Sequence, residues 1–278
     1  MSRHNNHING VPSYWKSSDV YLKGGNNQVT FGKNVFMRNT KIKLFGNSSL
    51  EIDDGVYMEG TIFMIKDSHV HIGRNTEMMK VGVYAYDKSH LDIGANSTLT
   101  GEFDLKDGAE IIAKRLWCTW PPLVAAKGGK ITMGDCGLAD TVIYNTDYHP
   151  IYDFSGKRLN PNKDVVIEDN VWVGRKTTVL KGVTLGNGCI LGFGCIVSKS
   201  VPPHCIVAGQ PARVVKENVV WAVSDAPENA QFFPLQSADD AVAFYHRTKG
   251  NPECIRRHKN TCSVYNRLRR RWALWRGK

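Results

Sequence analysis

His149 sits in the segment TDYHPIYD, with Asp147 two residues before it. An unperturbed imidazole titrates near pH 6.5, so a histidine beside an acceptor hydroxyl can take its proton as the oxygen attacks. In an extended chain, residues two apart lie on one side. There Asp147 could orient the imidazole, bind an acceptor hydroxyl, or remain a solvated loop acid; Asn145 stands two positions further back. Trp117 and Trp120, in RLWCTWPPLVAAKGG, offer apolar faces that stack well on pyranose C–H surfaces, and core packing would use them equally. Covalent acyl chemistry has no matching pattern. There is no G-x-S-x-G elbow, and none of the seven cysteines sits in a Cys/His motif or at metal-ligand spacing.

Such residues need a scaffold, and the second half of the chain announces its period. Ile167, Val173, Val179, Leu185, Leu191 and Val197 recur every six residues. Helices repeat at 3.6 and strands at 2, so a sustained six fits neither alone. It fits a solenoid in which each hexad is a short strand plus a turn, and three hexads close one triangular coil around inward aliphatics. Upstream, the pairs Phe31-Gly32, Ile52-Asp53, Ile72-Gly73, Ile93-Gly94, Ile112-Ala113 and Met133-Gly134 are separated by 21, 20, 21, 19 and 21 residues. Each spacing is one coil of eighteen with extra residues at a corner. The step of 34 from Met133 to Ile167 reads as one coil carrying a polar, turn-rich insertion over 147–164. Cys189 and Cys195 hold the same place in consecutive hexads, as small core or corner thiols would.

This spacing divides the chain into an N-terminal segment (1–27), a solenoid (28–218) and a C-terminal extension (219–278). Within the extension, SADDAVAFYHRTK (237–249) reads as a short helix capped by Ser237. The last thirty residues set ten basic side chains against Glu253 alone, which is nine of the chain's ten net positive charges. Tyr265, Leu268, Trp272 and Trp275 fall there at helical spacing. Such a stripe could rest on an anionic membrane, pack against the protein itself, or meet an acidic polymer. No nucleic-acid motif accompanies the charge, so nucleic acid is not an expected partner. No apolar run is long enough to span a bilayer, and the N-terminus lacks the apolar core of a signal peptide. The expected location is cytoplasmic, with the tail as a means of contact at the inner face of the membrane.

Three segments carry a family resemblance: TDYHPIYD (146–153), NPNKDVVIEDNVWVGRKTTVLKGVTLGNG (160–188) and GFGCIVSKSVPPHCIVAGQPARVVK (192–216). With them the chain resembles the hexapeptide-repeat acyltransferases, and most closely their sugar and polysaccharide O-acetyltransferase branch. The likeness is strong over 131–218 and rests on the repeat alone over 28–130. It implies an all-β solenoid, a left-handed parallel β-helix, here followed by a short, mostly helical extension. It also implies acetyl-CoA as acyl donor, no metal, a saccharide acceptor, and a homotrimer with its sites between subunits. The family's general base is the histidine of a Thr-x-x-His-Pro segment, which matches His149, with Asp147 as its catalytic neighbour. For the acceptor the candidates are Asn145, Trp117 and Trp120; the asparagine some relatives supply from the preceding coil has no match in 115–129.

On the donor side, the resemblance places the pantetheine arm along Trp172, Arg175, Gly192, Phe193 and Gly194, with Ser198 and Lys199 near the adenine. Phe193 departs from the small residue usual there. Lys199, Arg213 and Lys216 would supply cations for the phosphates, and Gly209-Gln210-Pro211-Ala212 matches the turn that closes the last coil. The implied reaction is direct acetyl transfer to a sugar hydroxyl of a cell-surface polysaccharide, capsule or lipopolysaccharide, sialic acid included. A backbone N–H, such as that after Trp172, would hold the oxyanion. Three other readings use the same coil: an N-acyltransferase on a nucleotide-linked amino sugar, a noncatalytic binding β-helix, and a zinc hydratase. The last needs three histidines around one metal, whereas His69, His71 and His90 precede His149 by several coils.

Overall fold

Aliphatic residues that recur once per coil can be buried only by stacking coil upon coil. The computed structural model, which describes residues 5–222, shows that stacking throughout. All the named strands join one sheet that winds around a continuous core. They pair in parallel with the strand one coil away, except where the closing strand Arg213–Lys216 runs antiparallel to Ile206–Ala208. The protein is a parallel β-solenoid.

Each coil has three faces. The first carries Gln28–Phe31, Ser49–Ile52, His69–Ile72, His90–Ile93 and, later, Val165–Ile167. The second ends in Val171–Val173, Ile190–Leu191 and Ile206–Ala208. The third starts at Asp19–Lys23, continues through the later halves of Phe36–Phe45, Tyr57–Ile65, Glu77–Ala85 and Thr98–Lys106, and reaches Leu123–Lys127 and Val142–Tyr144. Its inward column is in register from bottom to top: Val20, Ile42, Ile62, Val83, Phe103, Val124, Ile143, Val179 and Val197. The six hexad aliphatics from Ile167 to Val197 are all buried.

Two details differ from the spacing argument. On the first face Ile93 pairs with Ala113, not Ile112. Side chains alternate along a strand, so the bulkier Ile112 faces outward and Ala113 fills the core position. The coil also extends below residue 28. His7–Asn9, Tyr14–Lys16 and Asp19–Lys23 pair in register with the next coil. An end coil has no layer beneath it, so Ile8 and Trp15 stay exposed and the aliphatic-plus-turn signature is missing.

Corners that need a left-handed backbone are met by Asn34, Asn75, Asn96 and Asn170 as well as by glycine. Gly101 is compulsory: a Cβ there would stand 2.2 Å from the Pro122 carbonyl oxygen, at a φ of +92°. At the other end, Gly209–Ala212 turns the chain into its closing strand. The helix expected at 237–249 and the basic tail lie outside the described residues.

Candidate active site

The insertion leaves the third face after Val142–Tyr144 and rejoins the first at Val165–Ile167, so it projects from one corner of the triangle. A polar loop of this length stays in place only if its backbone groups find partners. Asn160, buried in its base, supplies several. Its Nδ2 donates to the His149 carbonyl and to Asp147 Oδ2, both at 2.8 Å, and its Oδ1 accepts the Ile151 N–H at 2.6 Å. Asn162 ties the Thr146 hydroxyl at 2.8 Å and reaches the Lys127 carbonyl. The backbone at His149 is therefore pinned, while the residue stays exposed. Among the described residues, no side chain hydrogen-bonds its imidazole.

The Asp147 carboxylate pairs with Lys181 and accepts from Asn160, which fastens the loop to the coil; among the described residues it makes no hydrogen bond to the imidazole. The Lys181 hydrogen bond, then that of Asn160, holds its carboxyl below the usual carboxylate range. Asn145 is engaged as well. It is fully buried, its Oδ1 accepting from Lys127 N–H at 2.9 Å and its Nδ2 donating to the Gly128 carbonyl at 2.7 Å. Both ends are used by backbone, because a coil corner without such a side chain would leave those groups unpaired.

Tyr148 and Asn160 were not singled out by the sequence. Tyr148 has a left-handed backbone (φ 61°), unusual for a bulky residue. Three contacts hold it there. Its N–H donates to Thr146 Oγ1 at 3.0 Å, its hydroxyl donates to Asp104 Oδ2 at 3.2 Å, and its ring meets Tyr144 edge-on at 6.1 Å. Burial, then the Asp104 charge, push the phenol above its ordinary range and keep it a donor. Its place between Asp147 and His149 was the only signal available. Replacing Asn160 with Ala should lower kcat about 10–100-fold while the coil's Tm barely moves, because the loop then releases His149 from its position. Steady-state kinetics beside a thermal melt checks this.

Of the donor-side candidates, Arg175, Gly192, Phe193 and Gly194 gather on another corner, between the second and third faces, whereas Ser198 and Lys199 lie between the third face and the first, on the corner that carries the insertion. Gly194 N–H donates to the Arg175 carbonyl at 2.9 Å, Gln210 Nε2 donates to the Gly194 carbonyl at 2.6 Å, and Arg175 reaches Asp140 at 3.8 Å. Phe193 projects from this corner 70% exposed, with the Lys176 ammonium 5.8 Å from its ring centre. A Cβ on Gly194 would meet nothing within 4 Å, so the surface beside it is open to a flat chain. Arg213 and Lys216 extend from the closing strand, and Ser198 and Lys199 follow Ile196–Val197; all four are exposed.

Trp172 joins a second feature. Trp117, Gly137 and Trp172 are in register on the second face, with the tryptophans 40% and 46% exposed. Strand spacing puts their backbones about 10 Å apart, with a glycine without a side chain between them. The side chain of Trp120 lies outside the described residues. Burial pushes the thiols of Cys118 and Cys189 up to about 12, so neither is a nucleophile at neutral pH.

Residues 164–199 match the family model described as bacterial transferase hexapeptide (six repeats). Among curated proteins the chain is similar to a polysialic acid O-acetyltransferase of Escherichia coli O1:K1 / APEC, 37% identical over 56% of this chain and 50% of the relative. It is also similar to the polysialic acid O-acetyltransferase of Neisseria meningitidis, 34% identical over 78% of this chain and 86% of that protein. The chain thus spans half the length of the first relative and most of the second. Among solved structures it is similar to the polySia-specific acetyltransferase NeuO, with a TM-score of 0.58 at 28% identity, covering 84% of this chain and 99% of that one.

Proposed function

The chain belongs to the hexapeptide-repeat sugar O-acetyltransferases, and from that premise we propose that it acetylates a hydroxyl of a capsular polysaccharide of the polysialic acid class. The observation that carries this reading is His149, exposed at a corner while its backbone is held by Asn160. A base in that setting can approach a large acceptor that no closed pocket would admit.

Acetyl-CoA is the donor in this reading. The residues suit it: an open corner at Gly194 for the pantetheine, and exposed Lys199, Arg213 and Lys216 for the phosphates. His149 takes the hydroxyl proton as the acceptor oxygen attacks the thioester carbonyl, and the thiol of CoA leaves when the tetrahedral intermediate collapses. The coils wind left-handed, as in the family. In one chain, His149 and the Arg175–Gly194 corner are separated by the third face. A homotrimer, in which His149 of one copy meets the donor corner of the next, brings the two together.

Thiol release from acetyl-CoA, measured across polysialic acid, other surface glycans and simple sugars, tests the proposal. Release that depends on a sialic acid polymer is expected; release with none of the acceptors would overturn it.

A further inference from the structure

We propose that the outer surface of the third face is a binding track for the anionic polysaccharide, which holds the polymer along the coils and delivers it to His149. This rests on the polysaccharide reading above. The track begins far from the base. From Asp19–Lys23 to Val142–Tyr144 there are six inter-strand steps, or roughly 29 Å at ordinary strand spacing.

Its first component is a run of touching aromatic rings. Tyr21 and Phe45 have centroids 5.8 Å apart, Phe45 and Phe63 5.6 Å, and Phe63 and Tyr86 5.7 Å. Lys106 continues the line, its ammonium 5.6 Å from the Tyr86 ring centre and 5.4 Å from that of Tyr148. Tyr148 adjoins His149, so contacts run without a break from the first coil to the residue beside the base. The core column beneath already holds the coils together. The outer rings add contact with one another and leave Tyr21 49% exposed, a surface on which sugar faces stack.

The second component is charge. Lys23, Lys41 and Lys43 stand among the rings on the two lowest strands, in register with Phe45, Asp19 and Tyr21 respectively. All three are exposed, and among the described residues none is ion-paired, although Asp19 lies across from Lys41. Higher on the same face, Lys106 is matched by Asp104 and Lys127 by Asp107. Three neighbouring unpaired ammoniums repel one another unless an anion lies over them. Rings interleaved with lysines answer the two chemistries of an acidic sugar polymer, its apolar ring faces and its carboxylates. The edge of this face nearer the second face holds a cleft of about 570 Å³ lined by Thr61, Gly82, Tyr84, Glu102 and Leu123, and the carboxylates of Glu102 and Glu59 there keep the anionic path to the side of Phe45, Tyr86 and Lys106.

The test uses the full chain and a triple variant, Lys23→Gln, Lys41→Gln and Lys43→Gln, with Lys16→Gln and Lys33→Gln as an off-face control. Binding is measured directly, as retardation in gels containing polysialic acid or, for comparison, neutral dextran. Acetyl transfer is measured with polymer and with short oligosaccharides that cannot reach from His149 to the lysines. The triple variant should lose polysialic acid retardation at least 10-fold and its KM for polymer should rise by a similar factor. Its kcat, and its kcat/KM for short acceptors, should stay unchanged. Wild-type retardation should fall with added salt, and dextran should retard neither protein.

Polymer binding without acetylation would sink the acetylation reading and leave the track standing. Polymer acetylation with an unchanged KM in the triple variant would do the reverse. A wild type that polysialic acid does not retard would overturn the track. So would a triple variant whose sedimentation shows a changed oligomer, since the face would then be a contact between copies.

Discussion

His149→Ala should abolish most turnover, lowering kcat about 10²–10⁴-fold while KM for acetyl-CoA and the oligomeric state stay near their wild-type values. The size follows from the chemistry. A sugar hydroxyl is a poor nucleophile until its proton leaves, and removing the positioned base takes about 3–5 kcal/mol of transition-state stabilisation with it. The structure argues that the loss would be confined to chemistry. The His149 side chain is exposed, and the groups that pin the loop are the backbone carbonyl of His149 and the side chains of Asn160, Asp147 and Lys181. A truncated imidazole leaves all of these intact. Rates with saturating acceptor, together with sedimentation of the variant, decide the matter. Near-normal kcat would remove His149 as the base, and a dissociated oligomer would make it structural.

The second large effect is on stability. Phe103 is the one aromatic ring in the inward column of the third face, fully buried between Val83 below and Val124 above. Stacked coils can close around a missing ring only if the β-strands approach, and their hydrogen-bond spacing forbids that. Phe103→Ala should therefore destabilise the protein by about 3–5 kcal/mol, which for a chain of this size is a fall in Tm of roughly 6–20 °C. Phe103→Leu, which refills much of the volume, should cost under about 1.5 kcal/mol. Melting both variants by circular dichroism distinguishes a cavity from a ring that merely covers the core. Equal Tm values for the two would contradict the packing argument.

The donor corner and the base corner differ in how they are built, and that bears on how they were read. Gly192, Gly194 and Arg175 lie within strict hexads, where position in the repeat gives position on the triangle. His149 lies in an insertion whose conformation depends on Asn160 and Asn162, thirteen and sixteen residues beyond the groups they hold. Asp147 looked like a partner for the imidazole because the two residues are close in sequence. Lys181, one coil on, captures its carboxylate first. Asn145, an acceptor candidate by sequence, has its amide engaged by Lys127 and Gly128 of the coil below, a use that nothing in its local sequence reveals.

The solenoid itself was legible in the sequence. Once aliphatics recur at a fixed interval of six, the only way to bury them all is to stack them, and the stack dictates coils, faces and corners. Even there, register slipped by one at Ile112 and Ala113, since a period of two assigns faces only when one residue is known to point inward. The tertiary structure alone decided what crosses between coils. It set the zigzag of Tyr21, Phe45, Phe63 and Tyr86, the pairing of Lys181 with Asp147, and the opposite corners of His149 and Gly194. These depend on which side chains become neighbours about 4.8 Å apart after some twenty residues of chain. That proximity is created by the winding and is written in no local run of residues.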